Sequence, residues 1–202
     1  EALGDWKAPD DWYKRAIKEK NEWDAYVEKQ SGPTNQEEPS YAHAVGAVYR
    51  NSDPSDIVVT AAGGLVGEVV QVWKPKQLNT FETEWGFSCM GYEISGALGI
   101  KMAKPDQDVV VFVGDGSYLL NNTDIYSSVI YDQKLIIIVC DNGGHMVINR
   151  LQLAKGGKEY ICNLRAARAT NLKFVDFENH AKSMGANAET VSSTSELEAA
   201  YK

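Results

Sequence analysis

The sequence is poor in cysteine, in proline and in positive charge, and it has no long apolar run. Its 202 residues include 3 Cys and 6 Pro, and 28 Asp and Glu outnumber 20 Lys and Arg, so the formal net charge is −8. This acidity argues against a protein whose main role is to bind the phosphate backbone of a nucleic acid, so we expect no nucleic-acid partner. No apolar stretch approaches the roughly 18 residues of a membrane span, so we expect no membrane partner either.

The cysteines do not form a pattern typical of disulfides or zinc. Cys89, Cys140 and Cys162 make an odd count without CxxC spacing. Cys89 and Cys140 lie in or beside apolar stretches, which predicts buried free thiols. The segment 1–11 has no basic region followed by an apolar stretch, so no signal peptide is visible. Together these features predict a cytoplasmic protein.

Residues 1–39 differ from the rest and are expected to form a helical segment and a linker. A helix is predicted from Asp10 or Asp11 to about Gln30, followed by a stop at Gly32 and Pro33. Its apolar residues fall on one stripe of a 3.6-residue period: Trp12, Ala16, Trp23 and Val27.

From residue 40 onward, apolar runs alternate with helical patterns. The runs 109–113 and 135–140 lack alternation, which is typical of parallel strands buried on both faces. Further strands are predicted near 56–61 and 187–191, and helices at 40–50, 67–73, 90–103, 123–131, 177–184 and from about 195. This order predicts an α/β fold over residues 40–202: a doubly wound, mainly parallel sheet with helices on both faces. Because the last helix is short and a further strand is expected, we predict that this domain is truncated at its C-terminal end.

Two predicted strand ends carry the residues with the clearest chemistry. Gly114-Asp115-Gly116-Ser117 follows one buried strand and Asp141-Asn142-Gly143-Gly144 the next, with 24 residues between Gly116 and Asp141. Adjacent parallel strands would bring both loops together at the ligand-binding edge of the sheet. Asp115, Asn142 and a carbonyl near Gly144 offer three oxygen ligands. Three protein oxygens leave about half of an octahedral coordination shell for outside ligands, which suits Mg²⁺ bound together with phosphates. The glycines let backbone N–H groups approach a diphosphate, although either loop alone is also a good turn sequence.

The spacing of these two loops resembles the metal and diphosphate motif of thiamine-diphosphate-dependent enzymes. The segments 39–42, 61–64, 87–94, 114–119 and 148–152 resemble the acetolactate-synthase-like branch that contains cyclic-dione hydrolases of inositol breakdown. The resemblance covers about residues 40–200 and implies the family's C-terminal, diphosphate-binding domain. It implies thiamine diphosphate and Mg²⁺ as cofactors, and hydrolysis of a carbon–carbon bond in a small cyclic dione.

The resemblance also implies roles for individual residues. Asp115, Asn142 and the Gly144 carbonyl would hold Mg²⁺, while the Ser88 carbonyl and the Met90 N–H would contact the aminopyrimidine. Other cofactor contacts would come from the two loops, mainly through main-chain N–H groups: Gly114, Gly116, Ser117, His145 and Met146. The pair His145-Met146 departs from the family, which usually has a small residue or glycine at the second position.

No catalytic residue is assigned to this chain. The family activates its cofactor with a glutamate on a separate pyrimidine-binding domain, usually from another subunit, and no segment here resembles that domain. We therefore expect a complementary pyrimidine-binding domain as partner, a homo-oligomer, and weak cofactor binding without turnover by this chain alone. The loop from Lys155 to Asn171 resembles the family's mobile segment over the site.

Three alternatives to the hydrolase stay open. One is an acetolactate-synthase-like carboligase domain, and another is a non-catalytic cofactor-binding module. The third is a dinucleotide-binding domain, because Gly63-Gly64-Leu65-Val66-Gly67 follows a strand, although it lacks GxGxxG spacing.

Overall fold

A computed structural model describes residues 4–166 and 174–202 of the chain. In these ranges four parallel strands form one sheet in the order β2-β1-β3-β4. The strands are β1 (Ile57–Thr60), β2 (Phe81–Thr83), β3 (Val109–Gly114) and β4 (Ile136–Cys140). The α-helices are α1 (Asp10–Ser31), α2 (Tyr41–Asn51), α3 (Gly63–Val72), α4 (Tyr92–Ala103), α5 (Asp115–Leu120), α6 (Asp124–Ile130), α7 (Met146–Ala154), α8 (Phe177–Ser183) and α9 (Thr194–Tyr201).

Helices cover both faces of the sheet, which confirms the predicted doubly wound fold. On β3, Val110 and Phe112 pack on one side with residues of α2 and α3 and with Trp73. The intervening Val109 and Val111 pack on the other side with residues of α4, α5 and α6. Each buried side chain of this size stabilises the fold by about 1.5–3 kcal/mol, which explains the unbroken apolar run.

The register of the two central strands aligns the two motif loops. Val113 is the partner of Val139, and Gly114 is the partner of Cys140, at the carboxyl ends of β3 and β4. The loops that begin at Asp115 and Asp141 therefore leave the sheet at the same level, as predicted from their positions.

The N-terminal helix forms over the predicted range, but its apolar stripe is mostly exposed. Val27 is only 4% exposed, whereas Trp12 is 65% exposed. At the end of α1, Arg50 Nη1 donates to the Ser31 carbonyl at 2.7 Å. The last turns of α1 thus anchor it to α2, while its earlier turns reach into solvent.

The predicted strand at 187–191 is wrong, because this segment is irregular in the structure. The Thr190 N–H donates to Glu178 Oε2 at 2.9 Å, and the Ser192 N–H donates to Glu196 Oε2 at 2.8 Å. Carboxylates of α8 and α9 thus accept backbone N–H groups that a strand would have needed for pairing. In the described ranges, no helix combines the length and apolarity that crossing a bilayer needs.

Candidate functional site

Asp115 joins the two motif loops. It is the first residue of α5, directly after β3, and is only 2% exposed. Its Oδ2 accepts a hydrogen bond from the Gly144 N–H at 2.6 Å. This bond spans the loops that follow β3 and β4, so the structure brings together the Asp115 and Gly144 that the sequence singled out.

Gly144 is held in a conformation that requires glycine. Its φ is +137°, and a Cβ at this position would lie 2.4 Å from the Cys162 carbonyl oxygen. The Cys162 carbonyl accepts the His145 N–H at 2.8 Å, and the Leu164 N–H donates to the Gly143 carbonyl at 2.8 Å. Residues 162–164 therefore close around the second motif loop, a pairing that nothing in the sequence pattern revealed.

The side-chain amide of Asn142 is oriented by Tyr41, the first residue of α2. Asn142 Nδ2 donates to the Tyr41 hydroxyl. Asn142 Oδ1 is buried and has no hydrogen-bond partner among residues 4–166 and 174–202. Burial raises the pKa of the Tyr41 hydroxyl, so it stays protonated. The amide oxygen is left as the unpartnered acceptor, and such a buried orphan is rare unless a ligand or ion satisfies it.

The electrostatics of Asp115 favour a cation nearby. Burial, together with the neighbouring Asp141 carboxylate, raises the pKa of its carboxyl to about 6, although the N–H groups of Gly116 and Gly144 lower it. Across the described ranges, no group of three His, Cys, Asp or Glu side chains could hold a metal ion. A cation here would be coordinated by one carboxylate, by amide and carbonyl oxygens and by ligands from outside the chain. Such a mixture of protein and outside ligands is typical of Mg²⁺.

Two of the predicted diphosphate contacts are already used inside the chain. The His145 N–H bonds to Cys162, and the Met146 N–H donates to the Gly144 carbonyl at 2.9 Å. These amides would have to give up their bonds before they could meet a diphosphate. The N–H groups in the first turn of α5, Gly116 and Ser117 among them, lack carbonyl acceptors within the helix.

The predicted ring-binding residues lie at a more open end of the site. Phe87 is 90% exposed and Met90 is 39% exposed. Ser88 has a φ of +52°. Glu84 stabilises this turn, because its carboxylate accepts the Cys89 N–H at 2.8 Å and the Phe87 N–H at 3.3 Å.

The cysteines differ in part from the prediction. All three are free, and Cys140 is buried, where burial raises the pKa of its thiol to about 12. Cys89, in contrast, is exposed on the open turn.

Arg150 of α7 was not singled out from the sequence as a site residue. Its Nη2 lies 2.8 Å from where a Cβ of Gly64 would stand, so the glycine makes room for the guanidinium over the first turn of α3. The exposed Arg150 side chain thus supplies positive charge at the edge of the sheet where the two loops meet. Of the predicted loop 155–171, residues 155–166 are described, and Arg168 lies outside the described residues.

Fold and site together define an α/β domain in which two motif loops meet at the carboxyl ends of β3 and β4. Residues 61–202 match the family model described as "Thiamine pyrophosphate enzyme, C-terminal TPP binding domain". The chain belongs to this family of thiamine-pyrophosphate enzymes and carries its cofactor-binding domain.

Curated relatives with similar sequences share one name, 3D-(3,5/4)-trihydroxycyclohexane-1,2-dione hydrolase. The protein from Halalkalibacterium halodurans is 39% identical over 150 residues, which cover 74% of this chain and 23% of that protein. The protein from Lacticaseibacillus casei is 39% identical over 169 residues, covering 84% and 26%. The chain therefore spans about a quarter of the length of these relatives.

Solved structures confirm the fold. A thiamine-diphosphate-dependent 4-hydroxybenzoylformate decarboxylase from Rhodococcus jostii superposes with a TM-score of 0.71 at 17% identity, covering 83% of this chain and 30% of that chain. Benzoylformate decarboxylase from Polynucleobacter necessarius gives 0.64 at 22% identity, covering 80% and 29%. At these identities the likeness concerns the fold alone.

Proposed function

We propose that this chain is the Mg²⁺- and thiamine-diphosphate-binding domain of an enzyme that hydrolyses a carbon–carbon bond in a cyclic 1,2-dione. The family match supports the cofactor, and the shared name of the curated relatives supports the substrate class. The place in inositol breakdown rests on the sequence resemblance alone. The observation that carries the proposal is the buried, unpartnered Oδ1 of Asn142 in the loop bonded to Asp115.

The residues present fit the metal. Asp115 uses Oδ2 for the Gly144 N–H, which leaves Oδ1 for a cation. Asn142 offers Oδ1, and the Gly144 carbonyl accepts one bond and keeps a second lone pair. A divalent cation would offset the burial of the Asp115 carboxylate and replace the missing partner of Asn142.

The other residues would bind and orient the cofactor. The first turn of α5, with Gly116 and Ser117, points backbone N–H groups and the positive end of the helix toward a diphosphate. Arg150 would add a cationic contact from α7. Met90 would support the cofactor rings at the open end. When bound, thiamine diphosphate supplies the stabilised carbanion chemistry that the side chains of this domain lack.

The open end also suggests the partners. Trp85, Phe87 and Met90 are exposed on the turn that would hold the rings. We propose that a complementary pyrimidine-binding domain covers this turn, from the same or another subunit, and that the enzyme is a homo-oligomer. That domain would supply the catalytic acid, and the substrate would be bound between the two surfaces.

An activity assay tests the proposal. The protein, in the longest form that its gene encodes, is incubated with thiamine diphosphate, Mg²⁺ and 3D-(3,5/4)-trihydroxycyclohexane-1,2-dione, and in parallel with pyruvate. We expect ring-opened acid from the dione and no acetolactate. Asp115→Ala should abolish turnover, whereas Asp106→Ala, at an exposed acid outside the site, should not. Turnover of pyruvate alone would favour the carboligase, and binding without any turnover would favour the non-catalytic module.

A further inference from the structure

Glu93, the second residue of α4, is a buried acid that the proposed function does not use. Glu93 is only 1% exposed. None of the ion pairs in the described ranges involves it. A buried carboxylate without a cationic partner is costly unless hydrogen bonds satisfy it, so its bonds show what it does for the structure.

The hydrogen bonds of Glu93 come from three separate elements. Its Oε2 accepts the Gly91 N–H at 2.9 Å, and its Oε1 accepts the Ala62 N–H at 3.3 Å. The Ser117 hydroxyl lies 2.9 Å from Oε1 and 2.8 Å from Oε2, and it accepts the Gly91 N–H at 2.7 Å. The carboxylate thus ties together the end of β1, the turn before α4 and the first turn of α5.

Two of these elements, the turn before α4 and the first turn of α5, border the proposed cofactor site. Gly91 follows Met90 and has a φ of +93°, so the bonds to its N–H fix the turn that presents Met90. Ser117 lies two residues after Asp115 in the first turn of α5. The Glu93 carboxylate therefore links the open, ring-binding end to the closed, metal-binding end. Two other bonds of Gly91 join the same two elements: its N–H donates to the Ser117 hydroxyl, and its carbonyl accepts Asn121 Nδ2 at 3.1 Å.

We infer that Glu93 is a positioning residue that holds the Met90–Gly91 turn and the first turn of α5 at a fixed separation, so that both ends of one cofactor molecule bind together. This inference rests on the proposed function. It predicts that breaking the Glu93 network weakens cofactor binding by the folded protein, in addition to any loss of stability.

Three variants test the link: Glu93→Gln, Ser117→Ala and the double variant. Glutamine has the shape of glutamate, but its amide nitrogen must face the N–H of either Gly91 or Ala62, donor against donor. By calorimetry with Mg²⁺ and thiamine diphosphate on the longest form that the gene encodes, we expect Kd to rise about tenfold for Glu93→Gln and about threefold for Ser117→Ala. Because both changes break one network, the double variant should match Glu93→Gln within about twofold.

Ser128→Ala is the matched control, since the Ser128 hydroxyl is also buried but donates to Ile125 on α6. It should leave Kd unchanged even where it lowers stability. Hydrogen exchange without cofactor gives a second readout: the amides of Ala62 and Gly91 should exchange faster in Glu93→Gln, and those of β3 should not.

The inference is overturned if folded Glu93→Gln binds with the wild-type Kd, or if the effects of the two single changes on log Kd add in the double variant. If Glu93→Gln does not fold, an unchanged Kd in Ser117→Ala overturns it instead. Wild-type protein that does not bind the cofactor at all would contradict the proposed function rather than the role of Glu93 alone.

Discussion

The two ends of the proposed cofactor site differ in how completely the chain builds them. At the metal end, Asp115 and Gly144 are buried and bonded to each other, and Asn142 is oriented by Tyr41. At the ring end, Phe87 and Met90 lie exposed on a turn held by the Glu84 carboxylate. The metal end is preassembled within this chain, whereas the ring end presents apolar surface to solvent.

This difference indicates which end of the site should contribute most of the binding free energy. Binding to a preorganised cluster has little conformational cost, so Mg²⁺ and the diphosphate should gain most of their affinity from the metal end. The exceptions are the N–H groups of His145 and Met146, which must first give up their bonds within the chain. The ring end should contribute fully only when another surface covers it. Changes at the metal end should therefore alter affinity and stability together, while changes at the ring end should alter affinity alone.

The largest effect is expected from Asp115→Ala. It removes the only carboxylate proposed to hold the metal and breaks the bond to Gly144. We expect Mg²⁺-dependent binding of thiamine diphosphate to weaken by about 100-fold or more, as for other lost metal contacts and buried charged hydrogen bonds. Calorimetry with and without Mg²⁺ measures this, and Asp106→Ala serves as the control with wild-type affinity.

Asp115→Asn should reveal the stability cost of burying the ionised Asp115 carboxylate. The pKa of Asp115 is raised to about 6 in the folded protein, so ionising it costs stability as the pH rises from about 4 through 6. Without metal, the variant should be more stable than the wild type by about 1–3 kcal/mol at pH 7 and no more stable below pH 4. Urea unfolding across this pH range in a chelator checks this. A difference that does not depend on pH would contradict the expected burial cost.

Met90→Ala should produce a smaller effect, confined to affinity. Because Met90 is partly exposed, its truncation should change the free energy of unfolding by less than about 0.5 kcal/mol. In the longest form of the protein, Kd for the cofactor should rise about three- to tenfold through lost contact with the rings. Met102, on α4, is a second exposed methionine, and Met102→Ala should leave Kd unchanged. Equal effects of both variants would remove the ring end from the proposed site.

The smallest effect is expected from Arg150→Ala. Loss of one exposed guanidinium near the diphosphate should raise Kd about two- to threefold at low salt and less at high salt, because salt screens the contact. Arg15→Ala, on the exposed part of α1, provides the matched loss of charge. Affinity that falls equally in both variants would indicate a general effect of net charge.

The sequence predicted the juxtaposition of the two motif loops, and the reasons are physical. Strands that are buried on both faces have a clear apolar pattern. Because β3 and β4 are parallel neighbours, their register places Asp115 beside the loop after Cys140. The three-residue strand β2, Phe81–Thr83, has no such pattern and was missed. Its partly exposed edge position leaves the apolar signal too weak to read.

Contacts between distant segments could not be predicted from local patterns. The bond from Asn142 to Tyr41 and the pairing of Gly143 with Leu164 depend on packing that only the folded chain defines. The same holds for the wrong strand at 187–191, where apolar and β-branched residues suggested pairing but Glu178 and Glu196 took backbone N–H groups. The exposed Cys89 likewise follows from the turn that Glu84 holds.

The central claim is that Asp115 and Asn142 hold a divalent cation that binds together with a diphosphate. Calorimetric titration of the protein, in the longest form that its gene encodes, with thiamine diphosphate in Mg²⁺ and in chelator tests it most directly. We predict saturable binding in Mg²⁺ that disappears in chelator and in Asp115→Ala. Binding that persists equally in chelator, or that Asp115→Ala leaves intact, would contradict the account.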